Sequence, residues 1–208
     1  MLCSVALPVW SAQAIRVVDV TALELPRPPG AIAYTLQLNL YMFKGTRWQA
    51  QDIVATLPQS ASLLAVCGVA VTRAVLRVLE APQRFHFYST PVSRELQREF
   101  QFAKPAVAFV EDTLNHPAYD AETIGTANSA TRPELANTIW VAYGAHDLAW
   151  TLAHELVHLL SNSGDHSEAP GNLMRAETSP ANTALTAEQC AQVRSRGAAN
   201  GLLRYGHE

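Results

Sequence analysis

The segment His154-Glu155-Leu156-Val157-His158 carries the residue types best suited to chemistry. If it is helical, the two histidines lie on one face, and both imidazoles can bind one metal ion at about 2.0–2.1 Å from each nitrogen. Glu155 then stands beside the ion, where a general base for a zinc-activated water is needed. The same spacing also fits two histidines of an ordinary amphipathic helix, facing solvent or hydrogen-bonded in the core. Five residues alone do not decide between these interpretations.

A second segment, residues 165–174, follows closely and reads Asp-His-Ser-Glu-Ala-Pro-Gly-Asn-Leu-Met. Together the two segments resemble the metzincin zinc peptidases, and among them the matrixins most of all. In that family the zinc helix is followed by an Asp-His-Ser stretch and a Pro-Gly-x-Leu-Met turn. The resemblance covers residues 154–174, and upstream only the order of elements is compatible. It implies a complete site: the zinc ligands His154, His158 and His166, the general base Glu155, and Met174 in the Met-turn beneath the metal.

The spacing to the third ligand departs from the family pattern. The family has a glycine three residues after the second histidine and its third histidine six residues after it. Here Ser161 stands at the glycine position and His166 lies eight residues beyond the second histidine. Asn162 and Gly164 tolerate left-handed conformations and can let the chain leave the helix instead. Asp165 is the alternative third ligand, although imidazole is the commoner zinc ligand and favours His166.

The function that the resemblance implies is zinc-dependent endopeptidase activity on a protein or peptide, with Zn²⁺ as cofactor. Substrate would lie along an edge strand within residues 124–143, and residues 175–184 would shape the pocket beyond the scissile bond. One alternative is a zincin of another clan, whose third ligand is a distant glutamate such as Glu188. Another is a non-catalytic zinc module that binds a partner through the cleft. Structural zinc sites usually have four protein ligands, and no fourth candidate stands near the motif.

Apolar periodicity and turn residues indicate which elements must position this site. We expect strands at residues 31–43, 69–79, 105–110 and 138–143, with the third in the middle of a sheet. Helices are predicted at residues 48–66, interrupted or bent near Pro58, at 148–161 with Asp147 as N-cap, and at 187–198 with Thr186 as N-cap. The fold class is therefore α/β or α+β, with a mixed sheet covered by two long helices. The resemblance adds a zincin-like catalytic domain: a twisted sheet, a zinc helix and backing helix, and a small C-terminal subdomain with the Met-turn and final helix.

Length and composition favour one globular domain. The chain has 208 residues, of which 49% are hydrophobic and 16% charged, enough to build one core. A net charge of −3 gives no footprint for nucleic acid, so we expect no such partner. No apolar run reaches the roughly 18 residues of a membrane span. We expect a monomeric domain over residues 15–208.

The N-terminal residues have the pattern of an export signal. Residues 1–10 are almost wholly apolar, and Ala12-Gln13-Ala14 matches a signal-peptidase cleavage site. This predicts a signal peptide at residues 1–14 and a secreted or periplasmic location. A buried first strand that starts near Val5 is the alternative, because a positively charged n-region is missing.

The cysteine count bears on the same question. Removal of the signal would take Cys3 away and leave Cys67 and Cys190, an even pair in an oxidising compartment. We expect them to form a disulfide. Two buried free thiols, which pack as small apolar residues, are the alternative.

Overall fold

A mixed β-sheet organises the protein, whose computed structural model describes residues 14–114 and 120–206. In chain order the described strands are β1 (Arg16–Glu24), β2 (Tyr34–Phe43), β3 (Val69–Glu80), β4 (Phe87–Tyr88), β5 (Ala106–Val110), β6 (Asp112–Thr113), β7 (Ala121–Ile124), β8 (Thr138–Ala142) and β9 (Arg204–Tyr205). The main sheet has the order β1-β3-β2-β5-β8-β7, and β9 pairs with part of β2. β2, β3, β5 and β8 are parallel, whereas β1 and β7 run antiparallel at the two edges.

Alternating residues of the central strands build a core on each face of this sheet. In β8, Ile139 and Val141 face one core while Trp140 between them faces the other. In β5, Val107 and Phe109 face the same core as Ile139, whereas the alternate residues Ala106, Ala108 and Val110 face the other core. Because successive side chains of a strand point to opposite faces, a continuous apolar run fills both cores.

Four helices cover the two faces: α1 (Ala50–Ala65), α2 (Thr90–Glu99), α3 (Leu148–Ser161) and α4 (Ala187–Ala199). α1 and α3 pack against each other on the first face, and α4 packs against α3. α2 contributes Leu96 to the core of the other face. α3 is therefore held between the sheet and two further helices, with its remaining face free to carry polar side chains.

The four predicted strands and three predicted helices are confirmed, with two corrections. α1 continues through Pro58 without interruption. Asp147 occupies the N-cap position of α3, but it has a left-handed backbone (φ 49°) and its side chain makes no capping hydrogen bond. The Thr151 hydroxyl donates to the His146 carbonyl at that end instead. Thr186 caps α4 as predicted, in a capping box with Gln189.

The predicted disulfide between Cys67 and Cys190 is present. It links the turn after α1 to α4 across a sequence separation of 123 residues. The Arg194 guanidinium donates to the Cys67 carbonyl beside it, at 3.0 Å. The end of α1 and the start of α4 are thereby fastened together behind α3.

The predicted signal peptide, residues 1–14, lies outside the described part of the chain except for Ala14. The alternative strand near Val5 also lies outside it. Among the described helices, none has the length and apolar character needed to cross a membrane.

Candidate metal centre

Three histidine side chains meet on the side of α3 that lines a cleft. The helix places His154 and His158 one turn apart, with 2.9 Å between their Nε2 atoms. His166, from the segment after α3, brings its Nε2 to 3.3 Å from that of His158. One ligand nitrogen from each residue lies within 4.8 Å of the other two, and over residues 14–114 and 120–206 this is the one such group of histidine, cysteine or acidic residues.

Backbone carbonyls orient the two buried imidazoles. His154 Nδ1 lies 2.8 Å from the Leu173 carbonyl oxygen, and His158 Nδ1 lies 2.8 Å from that of Ser163. A carbonyl only accepts, so both Nδ1 atoms carry the proton and both Nε2 atoms are bare. Two nitrogen lone pairs therefore face each other at 2.9 Å. Such an arrangement repels itself unless a cation lies between the nitrogens.

Burial keeps these two imidazoles neutral. Desolvation lowers the pKa of His154, and it lowers the pKa of His158 to about 4. Repulsion between the protonated forms of the two imidazoles is the next cause for His158. Only neutral imidazole binds metal. Both side chains are accordingly ready to act as ligands at neutral pH.

The geometry favours His166 over the two carboxylates considered as third ligand. Asp165 does not belong to the group, and its carboxylate accepts from the Ser163 hydroxyl at 2.7 Å. Glu188 lies in the first turn of α4 and does not belong to the group. His166 is exposed, unlike the two helix histidines, which are 3% and 8% exposed.

Glu155 lies between the histidines and the edge of the sheet. The Thr123 hydroxyl of β7 donates a short hydrogen bond to its carboxylate. Desolvation raises the pKa of Glu155 to about 7, although the Thr123 hydrogen bond and His166 act in the opposite direction. A carboxyl group with such a pKa can both accept and release a proton near neutral pH.

A cleft of about 1030 Å³ opens above the histidines. Its floor is α3 with His154, Glu155 and His158; one wall is β7 with the residues after it, and the other is formed by residues 176–178. The second wall is joined to the floor by the hydroxyls of Thr151 and Thr178, 3.3 Å apart. His146, which has no metal-like spacing in the sequence, also lines the cleft.

The edge strand beside the cleft lies upstream of the range predicted for it. Residues 124–143 were predicted to contain it, but the edge strand β7 ends at Ile124. β8 lies inside that range and is flanked by β5 and β7, so its hydrogen-bonding groups are used on both sides. β7 has only four residues, too few to show a period in the sequence.

Met174 is buried directly after the histidine cluster. It is 2% exposed, and its carbonyl accepts from the Ser167 amide at 2.8 Å. The Asn172 side chain accepts from the Met174 amide and binds Gln189 of the α4 capping box. The turn from Gly171 to Met174 is therefore fixed to both the His166 segment and α4.

No protein-family model and no curated protein matches the chain. Among solved structures, metalloproteinase-II from Bacteroides fragilis is similar with a TM-score of 0.57 and 18% identity, over 84% of this chain and 57% of that one. Archaemetzincin from Methanopyrus kandleri is also similar, with a TM-score of 0.49 and 11% identity, over 81% of this chain and 97% of that one. The first likeness shows that the mixed α/β fold is shared. The chain spans 57% of the length of the Bacteroides protein.

Proposed function

We propose that this protein is a zinc-dependent endopeptidase, with His154, His158 and His166 as zinc ligands and Glu155 as general base. One observation carries the proposal: three histidine side chains, two of them with bare Nε2 atoms, converge beside a half-buried carboxyl group at the floor of a cleft. A purely structural metal site needs neither the carboxyl group nor the cleft. The shared fold of a metalloproteinase adds support.

The donor set suits zinc. Zinc prefers nitrogen and sulfur ligands in a tetrahedron, and Zn–N bonds of about 2.0–2.1 Å put two ligand nitrogens about 3.3 Å apart. The His158–His166 separation equals 3.3 Å, and the His154–His158 separation of 2.9 Å is somewhat shorter. Three protein ligands leave a fourth position open, as in catalytic zinc sites. Zinc held there would supply a Lewis acid for the scissile carbonyl and activate a water for attack near neutral pH.

The side chains around this position have separate tasks. Glu155 accepts a proton from the attacking water and later delivers it to the leaving amine. The Thr123 hydroxyl donates to one oxygen of Glu155 and so fixes this side chain beside the histidines at the floor of the cleft. Met174 fills the buried space of the Met-turn, which presents the Leu173 carbonyl to His154. Loss of Glu155 should therefore stop turnover and leave zinc bound.

An extended protein or peptide segment suits the cleft as substrate, because β7, the last strand in the order of the main sheet, lines one of its walls. On its other side β7 has no partner strand among residues 14–114 and 120–206, and that edge can pair with such a segment. We also propose that the protein acts outside the cytoplasm, since a disulfide such as Cys67–Cys190 persists in oxidising compartments.

A peptide library with blocked termini tests the proposal. The zinc-loaded protein should cleave internal bonds, a chelator should stop cleavage, and Glu155→Gln should bind zinc but lower turnover by at least about a thousandfold. If the folded, zinc-loaded parent cleaves no peptide, the result would favour the non-catalytic zinc module. A Glu155→Gln variant as active as the parent would remove Glu155 from the chemistry.

A further inference from the structure

The Asn162 side chain joins the end of α3 to the loop that follows β7. Its Oδ1 accepts a hydrogen bond from the Ala127 amide at 2.7 Å. Gly125 leaves the space that this side chain occupies, because a Cβ at Gly125 would lie 2.8 Å from the same Oδ1. Asn162 therefore holds the loop of residues 125–127 by one hydrogen bond and one close contact.

That loop is part of the cleft wall. Gly125 and Ala127 line the cleft together with the residues of β7. The wall has a second attachment to α3, where the Thr123 hydroxyl binds Glu155. The attachments at residues 155 and 162 are about 10 Å apart along the helix, at 1.5 Å per residue. The sheet already fixes β7 through its pairing with β8, and the Thr126 hydroxyl donates to Asn137. The Asn162 contact therefore acts on the loop itself, where the wall leaves the sheet.

The backbone of Asn162 has a different role from its side chain. It adopts the left-handed conformation (φ 53°, ψ 40°) that ends α3. This turn brings the Ser163 carbonyl to 2.8 Å from His158 Nδ1. Asparagine and glycine tolerate this conformation far better than other residues. A glycine at position 162 can thus keep the turn at His158 while removing the contact with the loop.

We propose that the Asn162 side chain is a positioning residue that fixes the 125–127 loop against α3 and so sets how well the cleft binds substrate. The inference rests on the proposed peptidase function. Backbone carbonyls orient His154 and His158, so loss of the Asn162 side chain should alter substrate binding and leave metal binding intact.

Amide hydrogen exchange tests the contact itself and needs no activity. In the zinc-loaded chain, the Ala127 amide should exchange about fivefold faster or more in Asn162→Gly, as expected for loss of a neutral hydrogen bond. Asn162→Asp keeps the acceptor and should hold exchange within about twofold of the parent. Unchanged exchange in Asn162→Gly would overturn the proposal.

Kinetics on a cleaved peptide test the consequence for the cleft. Asn162→Gly should raise KM about 3- to 10-fold, with kcat and zinc affinity within about twofold of the parent, and Asn162→Asp should restore KM. An unchanged KM would contradict the proposal. A loss of zinc affinity in Asn162→Gly would contradict it too, because it would assign the side chain to the support of His158.

A double substitution tests the close contact at Gly125. Gly125→Ala should lower the thermal midpoint and raise KM, because its Cβ collides with Asn162 Oδ1. In an Asn162→Gly background the nearest remaining atom, the Asn162 Cα, is 3.8 Å away, so the alanine should have no further effect. Additive effects would overturn the proposal. A parent without peptidase activity would refute the proposed function, and exchange and thermal data would still decide whether Asn162 holds the loop.

Discussion

At the scale of single residues, the candidate metal site depends on two backbone carbonyls as much as on three histidines. The Leu173 and Ser163 carbonyls fix the tautomers of His154 and His158. Partners of this kind orient ligands and strengthen metal binding. The two carbonyls come from segments downstream of α3, so the His154–His158 pair needs the whole turn region to become a site.

The assignment of His166 as the third ligand can be tested by substitution. His166→Ala should weaken zinc affinity by more than the roughly 10- to 100-fold that loss of an outer partner costs, because a direct ligand is removed. Asp165→Ala is the matched control and should change affinity by less than about threefold, since its carboxylate binds Ser163. Competition of each variant with a chromophoric chelator measures the affinity. A larger loss in Asp165→Ala would reverse the assignment.

Part of this site could be predicted from the sequence, and there is a physical reason why the rest could not. A helix repeats every 3.6 residues, so the pairing of His154 with His158 follows from spacing alone. The position of His166 needs the path of the chain after α3, for which the sequence offered only a resemblance. The contact of Thr123 with Glu155 joins residues 32 apart across two elements, and no local pattern encodes it.

At the scale of elements, the segments with strong apolar patterns were predictable and the polar ones were not. β5 and β8 are buried on both faces, so their apolar runs stand out. β1 is exposed along nearly its whole length, and α2 buries only Ser93, Leu96 and Gln97. Elements that cover little apolar surface leave a weak period in the sequence.

α2 is attached to the protein largely by a cluster of charged residues, because it buries little apolar surface. Arg94 and Arg98 both bind Glu134, in the short 3₁₀ turn Pro133–Leu135. The Arg94 hydrogen bond is the largest cause that lowers the pKa of Glu134 to about 2, and Arg98 adds to it. The folded pKa is below the unfolded one, so this carboxylate stabilises the fold above about pH 4.5 and ceases to do so as pH falls through 2.

Glu134→Gln should accordingly lower the thermal midpoint at pH 7, and the difference from the parent should shrink as the pH falls from about 4.5 toward 2. High salt at pH 7 should also reduce the difference in thermal midpoint between the parent and Glu134→Gln, because it screens the ion pairs. Thermal unfolding followed by circular dichroism at several pH values makes the comparison. Glu168→Gln, an exposed carboxylate with no ion pair within the described residues, is the control. A difference that grows on acidification would contradict the ion-pair account.

At the scale of the whole molecule, the disulfide ties the helix layer together around α3. A cross-link over 123 residues removes loop entropy worth about 5 kcal/mol in the chain-entropy model, although measured gains are often smaller. Cys67→Ser with Cys190→Ser should therefore lower the free energy of unfolding by about 2–5 kcal/mol. Denaturant unfolding of the double variant, the oxidised parent and the reduced parent measures this change in the free energy of unfolding. Equal stability of parent and variant would show that the cross-link does not contribute.

The charge of the cleft predicts a substrate preference. Its lining includes Asp120 and Glu177, together with Glu122, which is paired with Arg132, and no lysine or arginine among the described residues that form it. Such a lining attracts cationic segments. Peptides with lysine near the cleaved bond should have a kcat/KM about 3- to 10-fold above that of otherwise identical peptides with glutamate. Glu177→Gln should reduce this ratio of kcat/KM values, whereas the control Glu168→Gln should leave it unchanged. Equal kcat/KM for both peptides would show that the lining does not select by charge.

If the histidine group holds a zinc ion on which hydrolysis depends, zinc titrated into the metal-free protein should restore peptide cleavage. Activity should rise in proportion to added zinc and level off at one ion per chain, and His158→Ala should show no such rise. Cleavage by the metal-free protein, or a zinc-loaded protein that stays inactive toward every peptide, would contradict the account.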